Sequence, residues 1–228
     1  MRDALTEQPR APRISVITVC LNSVGTIAEA LDSVAAQTGV DVEHIVIDGA
    51  SADGTLELLE SRRGRIAKLV SEPDAGLYHA MNKGIALATG DGVGFLNADD
   101  AYEGPDVLAR IAATFADARV DACHGDLVYV DRTDLARVVR YWKSRDYRPG
   151  LVERGWMLPH PTFFVRTGMM RQIGGFHTRY RYHSDFDLVA RLFLKQQIRS
   201  LYNSRDHCAD ARRRAEQPVT AQHSPWQS

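Results

Sequence analysis

The sequence predicts a single α/β domain, a mostly parallel sheet flanked by helices on both faces. Two observations carry this prediction. Strand and helix patterns alternate four times in the first half of the chain, with short connections. The opening strand, residues 14–20, is a continuous β-branched and apolar run of the kind found in buried strands. The size agrees: 228 residues, 44% hydrophobic and 25% charged, suffice for one large domain or two small ones.

Residues 1–12 contain Pro9 and Pro12 among polar groups without periodicity, so they read as a disordered lead-in. The first strand follows over 14–20. Asn22 or Ser23 then caps a helix whose apolar positions are Val24, Ile27, Ala30, Leu31 and Val34. A second strand over 43–48 stops at Gly49, and a turn over 51–54 leads to a helix through Leu56, Leu58 and Leu59. Residues 67–70 make a third strand and 77–88 a third helix. The fourth strand, 93–98, ends at Asp99 and Asp100. Pro105 suits the first turn of a helix over 106–115, and a strand follows over 122–130. Residues 137–154 read as an extended meander, 160–165 as a late strand and 168–173 as a short helix before Gly174 and Gly175. Residues 185–194 form an amphipathic helix through Leu188, Val189, Leu192 and Phe193. Residues 204–228 have almost no large apolar side chains and include the run Arg212, Arg213, Arg214. They are expected to be a disordered tail.

Composition excludes several classes. Twenty-eight Lys and Arg against twenty-nine Asp and Glu leave a formal charge of -1, which gives no overall basic field for nucleic acid. The longest early apolar stretch, residues 14–21, falls well short of the roughly 18 residues of a membrane span. Three widely spaced cysteines (Cys20, Cys123, Cys208) make neither a disulfide framework nor a metal motif, and a cytoplasmic location is the expectation. No phosphate-binding G-x-x-x-x-G-K-[ST] and no H-E-x-x-H occur. The glycines at 90, 92 and 94 precede a strand rather than follow one, so they are no dinucleotide loop.

In open parallel sheets, ligands sit beyond the carboxyl ends of the strands. Three of the expected strands end there in Asn or Asp: at Asn22, at Asp48 and at Asn97 to Asp100. The last group suits a hard divalent cation such as Mg²⁺ or Mn²⁺, which takes oxygen ligands and leaves positions open for phosphate; a turn with a helix cap uses the same residues. Asp48 can accept from a ring N–H of a nucleotide base, and Gly49 lets the backbone approach closely. Ser51 and Asp53 read as turn and cap residues. A further block places Asp74 and Gly76 beside the nucleotide and Asn82 or Lys83 near its phosphates, Lys83 being better read as a solvated helix charge.

These blocks, in this order, resemble the family 2 glycosyltransferases, whose catalytic domain has the Rossmann-like GT-A fold. The motifs are 16–22 with Thr18 and Asn22, 46–49 with 51–55, 82–84, and Asn97-Ala98-Asp99-Asp100 where a D-x-D motif is expected. The likeness spans about 12–202 and is strongest to bacterial enzymes of exopolysaccharide, lipopolysaccharide or glycolipid synthesis. It implies one glycosyltransferase domain over 13–203, with a nucleotide-sugar half (13–100) and an acceptor half (101–203). Asp48 would read the base, most often of UDP, Asp99 would hold the metal (Mn²⁺ or Mg²⁺) and Asp100 would lie beside metal or ribose. Asn97 departs from the usual first acid of the motif. Asp185, opening a late helix, matches the general base that deprotonates the acceptor hydroxyl for an inverting transfer; Asp187 beside it fits a first-turn helix charge. His160 matches an acceptor-side histidine. The implied partners are a nucleotide diphosphate sugar and a glycan or lipid-linked acceptor, with peripheral contact at the inner face of the plasma membrane. Arg212–Arg214 could touch anionic lipid there, but a solvated tail is the better reading. Two other readings use the same residues. A sugar nucleotidyltransferase would need a basic, Gly-rich loop after the first strand, and residues 20–25 are a poor one. A non-catalytic nucleotide-sugar-binding protein would explain the polar stretch after Tyr202.

Overall fold

The computed structural model describes residues 10–131, 134, 136–203 and, for the backbone alone, 211–214. In chain order the elements begin β1 (Ile14–Cys20), α1 (Ile27–Ala35), β2 (Val42–Asp48), α2 (Thr55–Ser61), β3 (Lys68–Ser71), α3 (Leu77–Leu87) and β4 (Gly92–Phe95). They continue β5 (Asp100–Tyr102), α4 (Val107–Phe115), β6 (Ala122–His124), β7 (Leu127–Val130), β8 (Val138–Trp142), β9 (Phe164–Arg166) and α5 (Thr167–Gln172). The last are α6 (Ser184–Ala190), β10 (Ser200–Tyr202) and β11 (Ala211–Arg214).

Seven strands form the main sheet in the order β10-β6-β9-β4-β1-β2-β3. All neighbours pair in parallel except β9, which runs against both β4 and β6. A second sheet has the order β5-β11-β7-β8. β1 lies wholly inside, which explains its largely apolar, β-branched sequence, and its two hydroxyls, Ser15 and Thr18, have partners inside the fold. Ile17 and Val19 face a core shared with α3, α5 and α6, whereas Ile14 and Val16 pack with α1 and α4. α3 lies close against β1 because Gly84 has no side chain: a Cβ there would overlap Ile17 Cγ2.

The amino ends of the strands are tied by one carboxylate. Glu43, 2% exposed, accepts from Ser15 Oγ at 2.7 Å, Thr89 N at 2.6 Å and Thr89 Oγ1 at 2.8 Å, and pairs with Lys68 Nζ at 2.8 Å. Burial disfavours its charge, but Lys68, Ser15 and Thr89 outweigh that and hold the carboxyl down to about 2.

Several expected boundaries moved. The first helix starts at Ile27, and Val24 is exposed in a turn, because residues 22–24 are held instead by the loop after β2. The single strand expected over 122–130 is two, β6 and β7, which part at Gly125 and enter different sheets. β5 forms where a turn was expected. Residues 160–162 make a 3₁₀ turn ahead of β9, not a strand. The last helix relaxes into π geometry over Arg191–Lys195. The expected lead-in lies outside the described residues up to residue 9. Within the expected tail, Ala211–Arg214 is corrected to a strand: its backbone pairs with β5 and β7, a bonding that needs no apolar side chains. The remainder of that tail lies outside the described residues.

Candidate active site

The carboxyl ends of β1, β2, β3 and β4 share one edge. Cys20 is level with Asp48, Asp48 with Ser71, and Phe95 with Ile17. The chain leaves β4 at Phe95 and turns through Asn97, Ala98 and Asp99, with Asp100 N donating to Asn97 O at 3.1 Å. Asp100 is buried, and its Oδ2 accepts from Asn97 Nδ2 at 2.6 Å. Asp99 is half-buried and has no hydrogen-bond or ion-pair partner among the described residues. No three metal-ligating side chains gather anywhere among the described residues. The donor set still fits a cation shared with a diphosphate, because magnesium sites commonly use one or two carboxylates and take their other ligands from phosphate and water.

Asp48 is fully buried and fully engaged. Its carboxylate accepts from Ser51 N at 3.1 Å, from Ser51 Oγ, and from Ser71 Oγ at 2.6 Å, with Cys20 Sγ 3.6 Å away. Burial and the nearby Asp48 charge push the Cys20 thiol far up. Ser51 therefore does more than turn the chain: it holds the carboxylate and also accepts from Asn22 N at 2.8 Å. The left-handed residue here is Ala50 (φ 62°), not Gly49, whose N–H closes the loop on Cys20 O at 2.9 Å.

Three of the residues expected at the donor side are engaged within the protein. Thr18 is sealed in the sheet, its Oγ1 3.0 Å from His44 Nε2. Asn22 clamps the loop, its Oδ1 accepting from Ala52 N at 2.9 Å. The Asn82 amide is engaged by backbone: it both donates to Phe176 O and accepts from Phe176 N, each at 2.9 Å. Among the cap candidates, Asp53 accepts from Thr55 N at 3.0 Å and Val24 N at 3.1 Å, which pins the β1 loop to α2.

Asp74 follows β3 by three residues. Its side chain is fully buried, Lys83 Nζ lies 2.7 Å from Oδ1, and Oδ2 has no hydrogen-bond partner among the described residues. Lys83 also reaches Glu72 at 2.5 Å, so it is a paired rather than a solvated charge, and Asp74 above all holds its ammonium above the ordinary range. Gly76 (φ 136°) starts α3 in a conformation side chains rarely adopt, with open space where a Cβ would be.

Aromatic rings connect β4 to the late helix. Phe95 lies 5.5 Å from His160 and 5.2 Å from Phe176, and Phe176 stacks on Tyr78 at 5.3 Å. Tyr78 OH in turn accepts from Ser184 N at 3.1 Å. Burial first, then the Asp185 charge, raises the Tyr78 phenol. Asp185 thus stands at the first turn of α6, near Tyr78, its Oδ1 accepting, among the described residues, only from Phe186 N at 2.9 Å. Asp187 is spent on structure, paired with Arg191 at 2.7 Å and His177 at 2.9 Å. Sequence reasoning missed Tyr78, Phe95, Phe176 and Ser71 as positioning groups; each lies beside a motif residue, but nothing in its spacing marks it.

A sheet of this order, with acidic residues at the carboxyl ends of its strands and a carboxylate-headed helix in the second half, has the architecture of the GT-A fold. The comparisons give the family. The chain belongs to glycosyl transferase family 2, whose model matches residues 15–176. It is 35% identical over 186 residues to a PGL/p-HBAD biosynthesis glycosyltransferase of Mycobacterium bovis, covering 80% of this chain and 70% of that one. An uncharacterised glycosyltransferase of Mycobacterium tuberculosis is 34% identical over 190 residues, covering 81% and 70%. Among solved structures, Staphylococcus aureus TarS 1–349 in complex with UDP-GlcNAc superposes with a TM-score of 0.66 at 20% identity, covering 93% of this chain and 62% of that one. Mannosyltransferase PcManGT from Pyrobaculum calidifontis, in complex with GDP-Man and Mn²⁺, gives 0.64 at 25%, covering 89% and 57%. The chain thus spans less than two thirds of these solved chains. Among the described residues no helix is long and apolar enough to cross a membrane.

Proposed function

We propose that this glycosyltransferase moves a sugar from a nucleotide diphosphate sugar, UDP-linked by preference, to a hydroxyl of a glycan or lipid-linked acceptor, with inversion. One observation carries the reading: Asp99 and Asp185, on the two sides of the Phe95–Phe176–Tyr78 contacts, are carboxylates that no cation among the described residues neutralises. Residues 13–100 would bind the donor and 101–203 the acceptor.

Asp185 accepts the acceptor hydroxyl's proton as that oxygen attacks the anomeric carbon. The bond from that carbon to the diphosphate oxygen breaks on the opposite face, so configuration inverts. Asp99, with Asp100 beside it, would hold a divalent cation, Mn²⁺ or Mg²⁺, which when bound offsets the charge growing on the departing diphosphate. Asp74 Oδ2 is the acceptor offered to base and ribose, alongside Gly49, Gly76 and Asn97, while Asp48, already engaged, holds Ser51 and Ser71 at the same edge. His160, stacked on Phe95, would line the acceptor side.

The test is sugar transfer and nucleotide binding by purified variants. Asp185→Asn is expected to lose at least about 100-fold in kcat while still binding nucleotide, the span usual for loss of a general base. Asp99→Ala is expected to lose metal-dependent nucleotide binding as well. Full activity in both folded variants overturns the reading.

A further inference from the structure

Six consecutive residues, 178–183, are exposed in the loop between α5 and α6. They alternate cation and ring. Arg179 lies 4.8 Å from the Tyr180 centroid and Arg181 5.8 Å from that of Tyr182. Arg179 also donates to Tyr180 OH at 2.9 Å. Neither arginine has a carboxylate partner among the described residues, for the adjacent Asp187 is taken by His177 and Arg191. Three large rings face solvent in the same stretch: Tyr180 at 38%, Tyr182 at 51% and Phe186 at 36% exposure. Arg191 fixes the root of the loop by donating to Ile173 O at 2.9 Å and Gly175 O at 2.6 Å.

We propose that residues 179–186 are a docking surface for an anionic lipid bilayer. Two guanidiniums without a carboxylate partner among the described residues call for an anionic partner, and exposed rings, two of the three with a polar tip, call for a boundary that is apolar on one side and wet on the other. An anionic membrane surface supplies both. A soluble anion would satisfy the arginines and leave the three rings in water. The surface lies in the expected acceptor half and differs from the Arg212–Arg214 run that the sequence offered for lipid contact. It also contains Asp185, so docking would bring that carboxylate to hydroxyls at the bilayer face. This last consequence rests on Asp185 being the base; the docking does not.

The full chain would be mixed with vesicles of phosphatidylcholine alone, and of phosphatidylcholine and phosphatidylglycerol in equal parts, and bound protein measured by flotation. Binding to the anionic vesicles alone is expected. At about fivefold per arginine, Arg179→Ala with Arg181→Ala should weaken it about 25-fold. Tyr180→Ser with Tyr182→Ser should weaken it at unchanged charge, and a triple alanine variant at 212–214 should leave it intact. Thermal melts confirm that each variant folds. No binding to anionic vesicles, equal binding to neutral ones, loss that follows the 212–214 arginines, or full displacement by inorganic phosphate overturns the proposal. Sugar transfer is not read, so the outcome is independent of the catalytic assignment.

Discussion

Asp48 and Asp99 stand at the same sheet edge in opposite states: the first has all its hydrogen bonds, the second none among the described residues. Sequence shows both as acids at strand ends and cannot tell them apart, because the hydroxyls that occupy Asp48 come from residues three and twenty-three positions away. Asn82 shows the same limit. It sits in a motif shared with the family, yet its amide holds the backbone of Phe176, ninety-four residues on. Asn82→Ala strands that backbone N–H and C=O and should cost about 2–3 kcal/mol. Denaturant melts would measure this, and nucleotide titration of the folded variant should find affinity unchanged. A large loss of affinity at unchanged stability would return Asn82 to the phosphates.

At the scale of elements, the sequence displays what hydrophobic period decides and hides what distant pairing decides. β1, β2 and the helices α3 and α4 were legible because each carries its own apolar pattern. β5 was not, since its three residues are a strand only through pairing with β11. β9 ran antiparallel without any local sign, for direction in a sheet is set by neighbours. Closeness of packing is similarly hidden. Gly84 reads as an ordinary helix glycine, but it is where α3 meets Ile17 of β1. Gly84→Ala should destabilise the domain by about 2 kcal/mol through overpacking, despite alanine's better helix propensity. Adding Ile17→Ala should recover part of that loss, so a thermodynamic cycle that comes out additive would refute the contact.

For the whole molecule, the buried histidines set a pH response. Burial lowers His44 from 6.5 to about 4, and burial chiefly lowers His124 as well. Between the two His44 values the unfolded chain takes up a proton that the native one refuses. Stability is therefore full above about 6.5 and falls as pH drops toward 4, by up to about 1.4 kcal/mol per unit. From pH 7 to pH 5 this amounts to about 2 kcal/mol from His44. Thermal melts at both values should show the drop, and His44→Gln should lessen it; an equal drop in the variant would assign the response elsewhere. The knot around Glu43 lies at the opposite end of the sheet from the acidic edge, and it ties β1, β2, β3 and the segment after α3 into one unit. This makes the two ends unequal for engineering. Loops at the acidic edge can be exchanged with those of relatives while the scaffold holds. An insertion between residues 88 and 91 would loosen the scaffold itself.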